Sequence, residues 1–139
     1  MSAYDQTFTL PFKLTNGNDG RGSKWFSSAK LRKQFESELR KRGLARGEPY
    51  PFPVKVTVTR ILGPGERFWD SSSIGRGSYK EIEDALVACG WFVDDSPRYI
   101  TNTDFRQDGC RRKGDVRLEV RIEQDGAHEF AESQEQALL

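Results

Sequence analysis

With 139 residues, 35% of them hydrophobic and 31% charged, the chain suits one domain that buries roughly two-thirds of its unfolded surface. No apolar run approaches the ~20 residues that span a bilayer, and the start "MSAYDQTFTL" lacks the basic-then-apolar layout of a signal peptide, so a cytoplasmic protein without a membrane partner is expected. Two cysteines, Cys89 and Cys110, exclude a disulfide framework and a cysteine-built metal finger, and are read as buried thiols. The net charge of +1 conceals a split: without the four acids of residues 125–139, 22 basic residues face 17 acidic ones. The expected organisation is a mildly basic domain over residues 1–124 and an acidic tail over 125–139, a balance that permits nucleic-acid binding without demonstrating it.

In chain order, "QTFTLPFKL" carries strand-forming residues up to a Pro-Phe break, which predicts a first strand over residues 6–12. "TNGNDGRGSK" reads as a loop. "SSAKLRKQFESELRKRG" predicts a helix capped by Ser27 or Ser28, with Ala29, Leu31, Phe35 and Leu39 as its apolar stripe and Gly43 at its end. After the irregular "RGEPYPFP", the run "VKVTVTRIL" alternates, with Val54, Val56 and Val58 on one face and Lys55, Thr57 and Thr59 on the other. A long polar loop, "GPGERFWDSSSIGRGS", leads to a helix in "SYKEIEDALVACG", capped by Ser78, with Glu81 three residues on. Its Tyr79, Ile82, Leu86 and Cys89 point inward. "RYITNTDFRQ" and "VRLEVRIEQ" are the last two strands, joined by the turn "DGCRRKGD". The order β-α-β-α-β-β predicts an α+β domain, one mixed sheet closing in an antiparallel hairpin with both helices packed on one face. The tail is read as a short helix or as disordered.

Three carboxylates fall at element ends: Asp70 past the second strand, Asp94 and Asp95 past the second helix. Adjacent aspartates repel, so the simplest reading of "GWFVDD" is a solvated turn. The other is half of a metal site. A hard cation such as Mg²⁺ takes oxygen ligands at about 2.0–2.1 Å and keeps several waters, so two or three converging carboxylates suffice. Such an ion can orient a water and offset charge on a phosphodiester in transfer, and Lys80 on the intervening helix would be placed to contact a phosphate or leaving oxygen. The single histidine, His128, lies in the tail, which argues against histidine-based chemistry.

The strand "VKVTVTRI", the following aspartate, the helix with "K…DAL" and the run "G-aromatic-V-DD" together resemble the RusA-like endodeoxyribonucleases, small phage and prophage Holliday junction resolvases. "LPF" on the first strand and "WFSSAKLRK", Trp25 to Lys33, extend the likeness over about residues 6–123. Its most specific piece is "DALVACGWFVDD", where Asp84, Ala85, Leu86, Gly90, Asp94 and Asp95 match. The resemblance implies a homodimer with a mixed α+β fold that cuts four-way DNA junctions with Mg²⁺ or Mn²⁺. By position it makes Asp70 and Asp95 metal ligands, Asp94 their neighbour and Lys80 the catalytic-region lysine. The family's Asp-x-Asp-Asn is absent: Ser72 and Ser73 stand at the second aspartate and the asparagine, or Arg76 and Gly77 if Lys80 and Asp84 set the alignment. Glu66, Glu81 and Glu83 are the carboxylates that could substitute. The departure keeps a second expectation open, a catalytically silent DNA-binding or protein-interaction module on the same scaffold.

The densest basic stretch runs from Arg21 to Arg46 and includes Lys24, Lys30, Arg32 and Lys33. A charge run is ordinarily a solvated helix face; beside a phosphodiester site it reads as phosphate contact, with salt-sensitive binding. Arg111, Arg112 and Lys113 form a second cluster that could reach another arm of a branched substrate. "GRG" at 20–22 and 75–77, the latter holding Arg76, gives backbone freedom beside an arginine but is too short for a phosphate loop, so no nucleotide cofactor is expected. Trp91 and Phe92 are read as core or dimer-interface residues. Trp69, beside Asp70, is the expected stacking surface for an unpaired base.

Overall fold

The computed structural model describes residues 5–14, 28–70 and 79–125. Arg21, Lys24, Trp25, Ser72, Ser73, Arg76, Ser78 and most of the tail lie outside them. Six elements follow in order: β1 (Gln6–Leu10), α1 (Ser28–Lys41), β2 (Val54–Ile61), α2 (Tyr79–Ala88), β3 (Ile100–Asp108) and β4 (Leu118–Gln124). The mixed α+β class agrees with the sequence reading. β1 stops at Leu10 rather than at residue 12, and β4 begins at Leu118 rather than Val116.

The expected closing hairpin is not formed. The strand order is β1-β4-β2-β3: β4 lies between β1 and β2, antiparallel to both, and β3 pairs in parallel with β2 at the edge. Helix α2 is the crossover that a parallel pair requires. Burial explains the assignment of the inner slot. Leu118, Val120 and Ile122 of β4 are fully buried, as a central strand demands, whereas in β3 only Ile100 is buried and Asn102, Asp104 and Arg106 are exposed. Polar and charged residues suit an edge.

Alternation gives the sheet two chemically distinct faces. Phe8, Leu10, Val54, Val56, Val58, Leu118, Val120 and Ile122 join one core with Phe35 and Leu39 of α1 and Ile82, Ala85 and Leu86 of α2, and the two helices pack against each other. The opposite face carries Lys55, Thr57 and Thr59 in register with Glu123, Arg121 and Glu119. Each helix ends in the same way. Gly43 at φ +71° and Gly90 at φ +84° adopt the left-handed conformation. Leu44 N–H donates to Leu39 O at 2.8 Å and Trp91 N–H to Leu86 O at 3.0 Å, closing the last turns. Gly90 has a second constraint: a Cβ there would lie 2.4 Å from the Arg46 carbonyl oxygen.

Trp91 and Phe92 are buried within the single chain, so they are core residues, and Trp91 Nε1 donates to Leu44 O at 2.6 Å. Cys89 is buried as expected; Cys110, on the turn between β3 and β4, is exposed, which corrects the reading of both as buried thiols. Asp125, read as the first tail residue, is buried, and its carboxylate accepts from Thr101 Oγ1 at 2.6 Å, so the domain extends at least one residue further.

Candidate functional site

Two corners of the fold hold the residues singled out in the sequence. The first lies where β2 leaves the sheet. The alternation that takes Val54, Val56 and Val58 inward continues to Arg60, which is only 3% exposed. Its guanidinium donates to Arg67 O and to Gln107 Oε1, both at 3.0 Å, and pairs with Glu66 at 3.3 Å. It also stacks 3.6 Å from the centre of the Trp69 ring. Gln107, the β3 residue in register with Arg60, clamps the Trp69 backbone: Trp69 N–H donates to Gln107 Oε1 at 2.8 Å, and Gln107 Nε2 donates to Trp69 O at 2.9 Å. Burial lowers the Arg60 pKa against the opposing effect of Glu66. Burial alone would raise Glu66, but bonds from Gly63 N–H and Lys13, with the charges of Lys13 and Arg60, hold it below the usual carboxylate range. Asp70, the next residue after the clamped Trp69, is exposed.

The second corner lies along α2. The Lys80 ammonium donates to Asp95 Oδ2 and pairs with Asp84 at 3.3 Å and Glu83 at 3.5 Å. The bond to Asp95, joined by the Asp84 contacts, outweighs desolvation and pushes the Lys80 pKa up. The same bond holds Asp95 below its usual range. Burial raises Glu83 despite Lys80, and the neighbouring Asp95 and Asp84 charges add to the rise. Asp94 does something else: its Oδ1 accepts from Ser96 N–H at 2.7 Å, an Asx turn that sets the chain's path into β3.

The corners are connected through β3. Tyr79, the first residue of α2, packs edge-on against Phe105 with centroids 5.2 Å apart, and Gln107, two residues on along the same face, holds the Asp70 loop. Asp70 and the start of α2 therefore share one end of the sheet. Among the described residues no group of three or more His, Cys, Asp or Glu side chains is arranged to hold a metal ion. Glu83, Asp84 and Asp95 meet at an ammonium rather than at one another. Of the three glutamates considered as substitutes, Glu83 joins this cluster, and Glu66 is committed to Gly63, Arg60 and Lys13.

Basic residues flank both corners. Arg32, Asp84, Asp94 and Asp95 line a groove of about 400 Å³ between the helices. Arg32 pairs with Glu36 at 3.9 Å, while Lys30 and Lys33 are exposed on the same helix. Arg111 is neutralised by Asp108 and Glu119, both at 2.6 Å. Arg112 donates to the carbonyls of Gly109, Gly63 and Glu66, tying the β3–β4 turn to the loop that leads to Asp70. Lys113 is exposed and, among the described residues, forms no ion pair. Arg46, from the basic stretch, packs over Tyr50 at 4.1 Å and Trp91 at 5.3 Å. Trp69 is half-buried against the core with Arg60 covering its ring.

The chain thus forms a four-stranded mixed α+β domain that gathers a lysine and two carboxylates of α2 with Asp95 from the connection that follows it. No family model matches it, and no curated protein is significantly similar to it. Among the described residues no helix is long and apolar enough to cross a membrane.

Proposed function

We propose that this protein is a Mg²⁺- or Mn²⁺-dependent endodeoxyribonuclease selective for branched DNA, acting as a homodimer on four-way junctions in recombination or repair. The observation that carries the reading is the Lys80–Asp95 contact, with Asp84 and Glu83 beside it, at the end of α2 nearest the Asp70 loop. Carboxylates are the donor class a hard cation takes, so Asp95 and Asp70 are the residues that would hold it, with waters completing the shell. A bound divalent ion would supply an activated water and charge stabilisation at the phosphate. The chain's own contribution is positional. Lys80, held protonated by its acidic neighbours, presents a proton and a positive charge where a phosphate or leaving oxygen would come. The α1 lysines and Lys113 offer charge to the flanking backbone, and two symmetric strands at a junction suit a twofold dimer.

The test is a labelled four-way junction with Mg²⁺ or Mn²⁺. Paired, symmetric cuts are expected, lost in Asp95→Asn while junction binding persists. The absence of cutting at concentrations that visibly shift the junction would reject the enzyme. A second reading, a silent junction-binding module, is favoured by the salt bridge that already satisfies Asp95. It expects binding without cutting, unchanged by Asp95→Asn.

A further inference from the structure

The clamp on Trp69 has an effect on its neighbour. In a segment whose Trp69 backbone is held on both sides by Gln107 and whose ring lies under Arg60, the preceding side chain is turned outward. That side chain is Phe68, 60% exposed, one of two exposed large hydrophobics among the described residues; the other, Val93, is on the α2–β3 connection. Phe68 rests against bare backbone: a Cβ built at Gly109 would lie 3.1 Å from Phe68 Cζ and 3.3 Å from Arg112 Nη2. The ring therefore sits on a glycine with a guanidinium alongside. That guanidinium is bonded to three carbonyls and, among the described residues, to no carboxylate. Arg67 and Lys113, both exposed and without ion pairs among the described residues, add two further charges.

A lone exposed phenylalanine needs no explanation in itself. This one stands against Gly109, two residues from Asp70, with the Arg112 guanidinium beside it. An exposed aromatic ring with a guanidinium beside it fits a nucleotide, whose base stacks on the ring while its phosphate meets the cation. We propose that Phe68, rather than Trp69, is the platform on which an unpaired base at the branch point of DNA stacks, with Arg112, Lys113 and Arg67 holding the adjoining phosphates. A fully paired duplex keeps its bases in the stack and offers none to the ring. The inference rests on the branched-DNA reading above.

The test compares binding of the full chain and two variants to a four-way junction and to a fully paired duplex of equal length, without divalent metal and at fixed low salt. Phe68→Leu keeps the bulk and removes the π-face. It is expected to weaken junction binding by about tenfold and duplex binding by less than about twofold, while Phe68→Trp retains junction affinity. Thermal midpoints within about 2 °C of the parent would show that the ring is not a packing element. Equal losses on both substrates, or no loss on either, would overturn the stacking role and leave the branched-DNA reading intact. A parent protein that binds neither substrate, or both alike, would overturn that reading and the stacking role with it.

Discussion

Arg60 and Lys80 are both cations paired with carboxylates, Arg60 with Glu66 and Lys80 with Asp95, Asp84 and Glu83. Solvent makes them different devices. Arg60 is 3% exposed, and each polar contact it makes replaces water that it has lost. The Lys80 side chain is 57% exposed and keeps water as an alternative partner. A buried cation is costly to leave without its surroundings, so the Arg60 corner belongs to the fold. Exposed ion pairs add little stability, so the Lys80 corner is free to serve chemistry.

The comparison can be broken most directly at Arg60. Arg60→Ala removes one partner each from Glu66 and Gln107, the guanidinium donor from the Arg67 carbonyl and the cover from the Trp69 ring. A loss of about 3–5 kcal/mol is expected by urea unfolding, and a loss below about 1 kcal/mol would mean that water already reaches the corner. Gly90→Ala asks whether the second corner has a backbone requirement even though its ion pairs add little stability. The clash with Arg46 O and the left-handed φ together are expected to cost about 3 kcal/mol or more, by the same measurement. Lys80→Ala should shift stability by no more than about 1 kcal/mol. On the proposed nuclease reading it should nonetheless abolish junction cutting, so a variant that is both well folded and fully active would remove Lys80 from that mechanism.

The smallest effect is a pH dependence with opposite signs inside one cluster. Asp95 is held low by Lys80, so its contribution to stability is complete above the ordinary aspartate value and is lost as pH falls through the folded value. The gap in thermal midpoint between parent and Asp95→Asn should therefore close in acid. Glu83 is held high by burial, so its cost sets in as pH rises from the ordinary glutamate value through the folded one. Glu83→Gln should gain on the parent across that rise. Parallel profiles for both variants would mean that the two carboxylates do not share Lys80 in solution.

Much of this was legible because it is local. The alternation of β2, the stripes of both helices (apart from Ala29, which is exposed) and the glycines that end them depend on residues a few positions apart. The Lys80–Asp95 pairing spans fifteen residues, and the sequence reading reached its parts without its geometry. Arg60 was missed although its signal was present: the inward phase of Val54, Val56 and Val58 includes it, but residue type argues for the surface. Phe68 was passed over for Trp69 because nothing local says which of two adjacent aromatics turns inward.

The sequence by itself determined the elements, their amphipathic faces and the α+β class, since hydrophobic periodicity follows from near neighbours along the chain. Only the tertiary structure decided that β4 slips between β1 and β2, that β3 takes the edge, and that Gln107 of that edge strand pins Trp69 and turns Phe68 out. Those choices hinge on hydrogen bonds and burial between segments that lie, for β1 and β4, more than a hundred residues apart, and an alternating strand satisfies its own pattern equally well beside either neighbour.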